Sequence, residues 1–191
     1  MKIEVEDFVG AIKDFDTALQ CMPHYALVYY NRGFSKLKLG DNPGAVEDFT
    51  NAIKYDQTLY EFYHLRGKAK TNLGDFTGAI IDYKNALNCK NALSSVVFQS
   101  LGYAKSAVND HIGAIKDFDE ALKFDPSLAE SFNGRGISKS ALGDNKTAIE
   151  DFTKAIYYYE DYASAYYYRS LSRETIGDIA GANLDYSTAK K

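Results

Sequence analysis

The polar and apolar positions of this 191-residue chain follow a helical period, and one block of the pattern returns about every 34 residues. In the first half of a block, residues such as Tyr29 and Gly33 lie at helical spacing. In the second half, Ala45, Phe49 and Ala52 do the same. Each block therefore predicts two helices, and the whole chain predicts about eleven helices of ~12–14 residues in an all-α fold.

A glycine–aspartate pair separates the two predicted helices of each block. Gly40 stands where a helix has to end in a left-handed residue, a conformation that glycine adopts without steric cost. Asp41 follows as a good N-cap for the next helix. The pair returns as Gly74-Asp75, Asn109-Asp110, Gly143-Asp144 and Gly177-Asp178. Each block is therefore predicted to be a helix–turn–helix unit.

Equivalent positions of successive blocks form columns when the blocks are aligned. The residue types in these columns together resemble those of the tetratricopeptide repeat family. The aromatic, glycine, glycine–aspartate and alanine positions recur together along essentially the whole chain, and Pro23 and Pro126 stand at the family's proline position. The resemblance implies an all-α, right-handed superhelical solenoid of helix–turn–helix repeats, with a concave face built mainly from the first helices. We expect a single array over 1–191, with a half repeat at 1–25, repeats at 26–59, 60–94, 95–128 and 129–162, and a terminal repeat at 163–191.

Composition narrows the classes of function. The formal net charge is −4, from 22 Lys+Arg and 26 Asp+Glu, whereas nucleic-acid binding needs a surplus of basic side chains. No stretch approaches the roughly 18 apolar residues of a membrane span, and the charged start of the chain lacks an apolar signal core. We expect no nucleic acid, no membrane and a cytoplasmic protein, although a removed leader or a larger parent protein would leave the same pattern.

The sequence lacks the residue patterns of catalytic sites and of metal-binding sites. Cys21 and His24 have C-x-x-H spacing, which is half of a zinc site. The sequence holds no Ser–His–Asp set, phosphate-binding loop or dinucleotide fingerprint. Cys21 and Cys89 share a column whose other members are aromatic, so both are expected to be small core residues. The sequence therefore predicts a protein that is not an enzyme, with no catalytic residue, no bound metal and no cofactor.

A ladder of cations departs from the family's usual residues. Arg32 and Lys36 stand where the resemblance implies an apolar residue and a tyrosine, and both columns recur along the chain. An acidic column, represented by Asp48, runs along the second helices. The cations could form a phosphate track, but the parallel carboxylates favour structural ion pairs between the two helices of a unit.

The resemblance also implies where a partner would bind. Groove side chains in this family lie one and five residues after the aromatic column of the first helix. In this chain, the residues at those groove positions include one lysine and no arginine. They therefore do not suit the acidic tails that the family's chaperone adaptors hold. They suit a peptide or helix with apolar anchors, although any one aromatic could instead pack on a neighbouring helix. The predicted partner-binding residues are Tyr30, Phe34, His64, Lys68, Gln99, Tyr103, Asn133, Ile137, Tyr167 and Leu171.

Two functions of different kinds fit this pattern. The first is a non-enzymatic scaffold that binds a protein or peptide partner in its concave groove. The alternative is a structural self-assembly module that forms a homodimer through its N-terminal helix.

The two ends of the array differ in character. Phe8, Ala11, Phe15 and Ala18 form an apolar edge with no earlier helix to cover it, which predicts a homodimer or a longer natural protein. At the other end, Asn183 and Lys190 replace apolar residues of their columns. We therefore expect both side chains to be solvated, as in a terminal repeat.

Overall fold

A computed structural model describes residues 7–90, 92 and 94–190 of the chain. These residues form eleven α-helices, which confirms the predicted all-α repeat fold. In chain order the helices are α1 Phe8–Cys21, α2 Ala26–Lys38, α3 Asn42–Tyr55, α4 Tyr60–Asn72, α5 Phe76–Asn88, α6 Ser94–Ala107, α7 His111–Phe124, α8 Ala129–Ala141, α9 Asn145–Tyr158, α10 Ala163–Thr175 and α11 Ile179–Ala189.

The chain divides into two compact units. The first is Met1–Ala92, with α1 to α5, and the second is Leu93–Lys191, with α6 to α11. Within each unit, every helix packs against the next helix in the chain. The even-numbered helices are the first helices of the predicted repeats, and the odd-numbered helices are the second. Residues 1–6 of the predicted half repeat lie outside the described residues.

The turn from a first to a second helix uses the predicted glycine–aspartate pair. Gly40 has a positive φ of 83°, and the Asp41 carboxylate accepts a hydrogen bond of 3.0 Å from the amide of Gly44. This satisfies one of the free amides at the start of α3. The same left-handed backbone recurs at Gly74, Asn109, Gly143 and Gly177.

The core of each repeat combines small residues with one buried ring. Phe49 is fully buried together with Ala45, and a Cβ atom on Gly33 would come within 3.1 Å of the Phe49 ring. The glycine therefore permits the close approach of α2 and α3, since a methyl group there would crowd the Phe49 ring. The ends of this aromatic column differ, because Phe15 is half-buried and Tyr186 is exposed.

The predicted ion pairs between the two helices of a repeat are present. The Asp48 carboxylate is fully buried and lies 2.6 Å from Nη2 of Arg32 and 2.9 Å from Nζ of Lys36. Arg32 also reaches Asp16 of α1 at 2.6 Å, so its guanidinium bridges α1 and α3. The same pairing recurs in Arg66–Asp82–Lys70, Arg135–Asp151–Lys139 and Arg169–Asp185–Arg173. These cations are therefore engaged in helix packing.

One repeat carries a simpler form of this cluster. Leu101 stands in the arginine column and is buried, and the nearby Asp117 carboxylate lies 2.5 Å from Nζ of Lys105. At this position the chain has the apolar residue that the resemblance implies for the family.

The burial of the two cysteines differs from the sequence-based expectation. Cys21 is exposed and Cys89 is only partly buried, and both thiols are free. The prediction that both are core residues is wrong for Cys21, because it ends α1, a helix without any fully buried residue.

Candidate functional site

The predicted groove residues of the first unit lie on the first helices α2 and α4. The ring of Tyr30 packs 5.2 Å from that of Phe62, between centroids, and is half-buried. Phe34 lies 6.5 Å from Phe8 in an edge-to-face contact. Lys68 is exposed. This face is therefore largely aromatic, with the exposed Lys68 at its side.

A pocket next to Tyr30 includes residues that the sequence analysis did not select. Leu27, Leu59 and Glu61 line it together with Tyr30 and Phe62, and its volume is about 130 Å³. Among the described residues, the buried Oε2 of Glu61 accepts no hydrogen bond. Leu27 precedes Tyr30 by three residues, so helical spacing alone could have identified it. Glu61 gives this apolar pocket an acceptor for an N–H group.

His64 is a largely buried base in the same unit. Its ring lies 5.7 Å from that of Tyr83, and burial, with a smaller contribution from the charge of Lys68, lowers the pKa of its imidazole to about 4. The side chain is therefore neutral at pH 7. The neutral ring of His64 contributes packing surface here and no charge.

This low pKa predicts an acid-sensitive contribution to stability. Because the ordinary histidine pKa is 6.5, protons bind the unfolded chain better, so the stabilisation is present above pH 6.5 and is lost as the pH falls towards 4. At pH 4, the loss in the free energy of unfolding that is attributable to His64 should reach about 3 kcal/mol. Urea unfolding of the wild type and His64→Gln at pH 7 and pH 4 measures it. An equal pH-dependent difference in His24→Gln, which alters an exposed histidine, would contradict the assignment.

In the second unit, two predicted groove residues belong to a polar network. The Tyr103 hydroxyl donates a 2.5 Å hydrogen bond to the carbonyl of Glu130, and burial raises the pKa of that hydroxyl. Asn133 is only 3% exposed, and its amide donates to Ser164 at 3.3 Å and to Tyr162 at 3.5 Å. The network joins α6, α8 and the start of α10. Asn133 is therefore covered by its neighbours, whereas Tyr103 remains half-buried.

The remaining predicted residues of the second unit differ in exposure. Gln99 on α6 and Ile137 on α8 are half-buried. Tyr167 and Leu171 on α10 are 42% and 40% exposed. Of the six residues predicted here, these two therefore present the most open surface.

Tyr167 and Leu171 line a groove between α10 and α11. Ile179 and Tyr186 of α11 form its other wall, and its volume is about 400 Å³. The rings of Tyr167 and Tyr186 are 6.4 Å apart. Tyr186 shares the column of the buried Phe49, so its position in the repeat does not reveal its place in this groove. The polar replacements at Asn183 and Lys190 in the same helix were the signal that could have revealed it.

The outer side of α11 is only partly as predicted. Asn183 and Lys190 are exposed, which confirms that expectation. Leu184 is nevertheless 66% exposed, and Ile179 and Tyr186 are exposed with it. The terminal helix therefore combines its polar substitutions with an open apolar surface.

The described residues 7–90, 92 and 94–190 contain no cluster of three histidine, cysteine, aspartate or glutamate side chains that could hold a metal ion. Within the same part of the chain, no helix has the length and apolar character needed to cross a bilayer.

Comparisons with known proteins agree with the repeat architecture. The family model described as Tetratricopeptide repeat matches residues 60–91 and 129–162. A comparison with curated proteins found no match.

Several solved structures share the fold. A crystal structure of PilW, titled a widely conserved type IV pilus biogenesis factor, is 17% identical, with a TM-score of 0.84 over 95% of this chain and 84% of that one. A crystal structure of MamA is 24% identical, with a TM-score of 0.75 over 82% and 91% of the two chains. YrrB, titled a TPR protein with an unusual peptide-binding site, is 16% identical, with a TM-score of 0.74 over 92% and 90%. Together with the recurring columns, caps and helix pairs, these matches show tetratricopeptide repeats at 60–91 and 129–162 and the fold of a tetratricopeptide-repeat array.

Proposed function

We propose that this chain is a non-enzymatic scaffold for protein–protein interaction, which binds a peptide or helix of a partner through the inner faces of its first helices. The observation that carries the proposal is the groove beside Tyr167 and Leu171. These apolar side chains are four residues apart on α10, are both exposed, and face Ile179 and Tyr186 across an open groove. Paired aromatic and aliphatic anchors of this kind are typical of peptide-binding surfaces.

The chemistry of the two units indicates the kind of partner. In the first unit, the pocket beside Tyr30 is apolar and contains the Glu61 carboxylate. In the second, the groove is lined by aromatic and aliphatic groups, with Glu174 and Asn183 at its edge. A partner with apolar anchors and free N–H groups matches both surfaces better than an acidic tail. YrrB is described as having a peptide-binding site, and we extend peptide binding to the present chain as a proposal.

Peptide selection followed by substitution tests the groove. Peptides selected from a random display library on the wild-type chain should bind Tyr167→Ala and Leu171→Ala about tenfold more weakly, because each variant lacks an apolar side chain that the bound peptide would cover. Calorimetric titration measures the affinities. Tyr157→Ala is the matched control, since Tyr157 is exposed on α9 and does not line the groove. Equal affinity for wild type and both groove variants, or equal weakening by the control, would count against the proposal.

The alternative, self-assembly through the N-terminal helix, rests on a separate observation. Ala45 and Phe49 of α3 are fully buried, whereas their counterparts Ala11 and Phe15 of α1 are only half-buried, and α1 has no fully buried residue. This leaves an apolar face of α1 open among the described residues. Such a face could pair with the same face of a second copy in an isologous dimer.

Sedimentation over a range of protein concentrations tests this alternative. If α1 forms the dimer contact, the wild-type mass should rise with concentration and Phe8→Glu should remain a monomer, because a buried carboxylate opposes the contact. Thr17→Glu adds the same charge at an exposed position of α1 and should still dimerise. A wild-type chain that stays monomeric at high concentration would exclude the dimer.

A further inference from the structure

Three repeats close one edge with a pair of stacked aromatic rings. In each pair, the last residue of the second helix lies over the aromatic residue of the first helix. The pairs are Tyr29–Tyr55, Phe98–Phe124 and Phe132–Tyr158, with ring centroids 5.7, 6.1 and 5.8 Å apart and interplanar angles of 25°, 14° and 12°.

The repeat formed by α4 and α5 lacks the second ring of this pair. Cys89 stands in the column that holds an aromatic residue in the three other repeats, opposite Tyr63. Helix α5 ends at Asn88, so Cys89 is its C-cap in extended backbone and not its last helical residue. Among the described residues, no ring stacks on Tyr63, and the guanidinium carbon of Arg66 lies 6.0 Å from the centroid of its ring.

A pocket of about 520 Å³ opens beside Tyr63, next to Cys89. Its lining includes the amide side chains of Gln57, Asn85 and Asn88. The Cys89 thiol is turned towards protein carbonyls, 3.5 Å from that of Asn85 and 3.7 Å from that of Gln57. Burial raises the pKa of this thiol, so it is protonated at neutral pH and does not serve as a nucleophile. The pocket thus combines an aromatic platform with polar amides.

We propose that this pocket binds a tyrosine side chain of a partner protein, with its ring stacked over Tyr63 and its hydroxyl bonded to the amides of Asn85 and Asn88. The chain itself identifies the occupant, since the rings of Tyr55, Phe124 and Tyr158 fill this position in the other repeats. The surrounding amides favour an occupant with a polar end. The site lies apart from the groove residues of the proposed function, so either proposal can fail without the other.

NMR titration with N-acetyl-L-tyrosinamide, followed at the backbone amides of Tyr63 and Cys89, tests the site. We expect saturable shifts and a preference of about two- to tenfold over N-acetyl-L-leucinamide, which corresponds to one aromatic stacking contact. Shifts that do not saturate, or equal binding of the two probes, would overturn the proposal.

Substitutions locate the contact within the pocket. Cys89→Tyr supplies the missing ring and should abolish tyrosinamide binding, whereas Cys89→Ser leaves the pocket open and should retain it. Tyr63→Leu keeps an apolar wall without a ring and should remove the preference for tyrosinamide. Undiminished binding to a folded Cys89→Tyr variant would place the probe elsewhere and refute the site.

A gain of binding provides the complementary test. Tyr55→Cys removes the ring that covers Tyr29 and so uncovers the equivalent aromatic ring of the preceding repeat. A folded Tyr55→Cys variant should show a second saturable site, followed at the amide of Tyr29. The absence of this second site would show that an uncovered ring in this column does not suffice for binding.

Discussion

Replacing Asp82 by alanine should lower the free energy of unfolding by about 3–5 kcal/mol, because it leaves two cations without their buried counter-ion. The Asp82 carboxylate is 0% exposed. Its two oxygens accept bonds of 2.6 and 3.0 Å from the Arg66 guanidinium, and Nζ of Lys70 lies 2.8 Å away. Chemical denaturation of the two proteins at neutral pH measures the loss.

The chain offers a matched control for this prediction. Asp117 occupies the same column, but Leu101 replaces the arginine there. Asp117→Ala should therefore cost less than Asp82→Ala, since it strands one cation of these columns where Asp82→Ala strands two. Replacing Arg66, Lys70 and Asp82 together by leucine should recover much of the stability, because well-packed apolar groups can replace a buried ionic cluster. Equal losses for Asp82→Ala and Asp117→Ala would show that the arginine column contributes little.

Replacing Phe118 by alanine should destabilise the second unit by about 3–5 kcal/mol, the usual cost of removing a buried phenylalanine ring. Phe118 is fully buried, and its ring fills the space left by glycines on two first helices. A Cβ atom added to Gly102 of α6 would lie 2.9 Å from this ring, and one added to Gly134 of α8 would overlap it more severely. Thermal and urea unfolding measure the loss.

The same contact predicts a change of sign at Gly134. In the wild type, Gly134→Ala should cost about 1–3 kcal/mol, because its methyl group meets the Phe118 ring in a filled core. In a Phe118→Ala background the obstacle is absent, so Gly134→Ala should stabilise the protein by up to ~1 kcal/mol through its better helix propensity. A double-mutant cycle gives the coupling energy. Additive effects would show that the ring and the glycine do not limit each other.

The fold could be predicted from the sequence because its determinants are local and repeated. Helical spacing, the left-handed position at Gly40 and the cap at Asp41 each depend on residues within one turn of each other, and repetition makes each signal recur. The ion pairs were predictable for a related reason. A cationic column such as that of Arg32 and an acidic column such as that of Asp48 have to meet if the two helices of every unit pack in the same register.

The candidate site was less predictable, because it depends on distances between helices. Tyr167 and Asn133 occupy the same position of their repeats, yet Tyr167 is exposed whereas Asn133 lies in a buried network with Tyr162 and Ser164. The helical period places Tyr167 and Asn133 on the same face of their helices, but it does not determine how deeply each side chain is buried. Tyr186 likewise shares a column with buried rings but is exposed, because a column is buried only where further helices cover it.

The sequence by itself thus determined the helices, their turns, the repeat and the pairing of charges, since each follows from spacing along the chain. Only the tertiary structure decided which side chains remain at the surface. It showed that the ring of Phe118 requires Gly134, a glycine outside the repeated glycine columns, to lack a side chain. It also showed that Cys89 leaves an open pocket beside Tyr63. Both the contact at Gly134 and the pocket at Cys89 depend on the volume between side chains of different helices. The residue types at repeated positions of the sequence do not determine that volume.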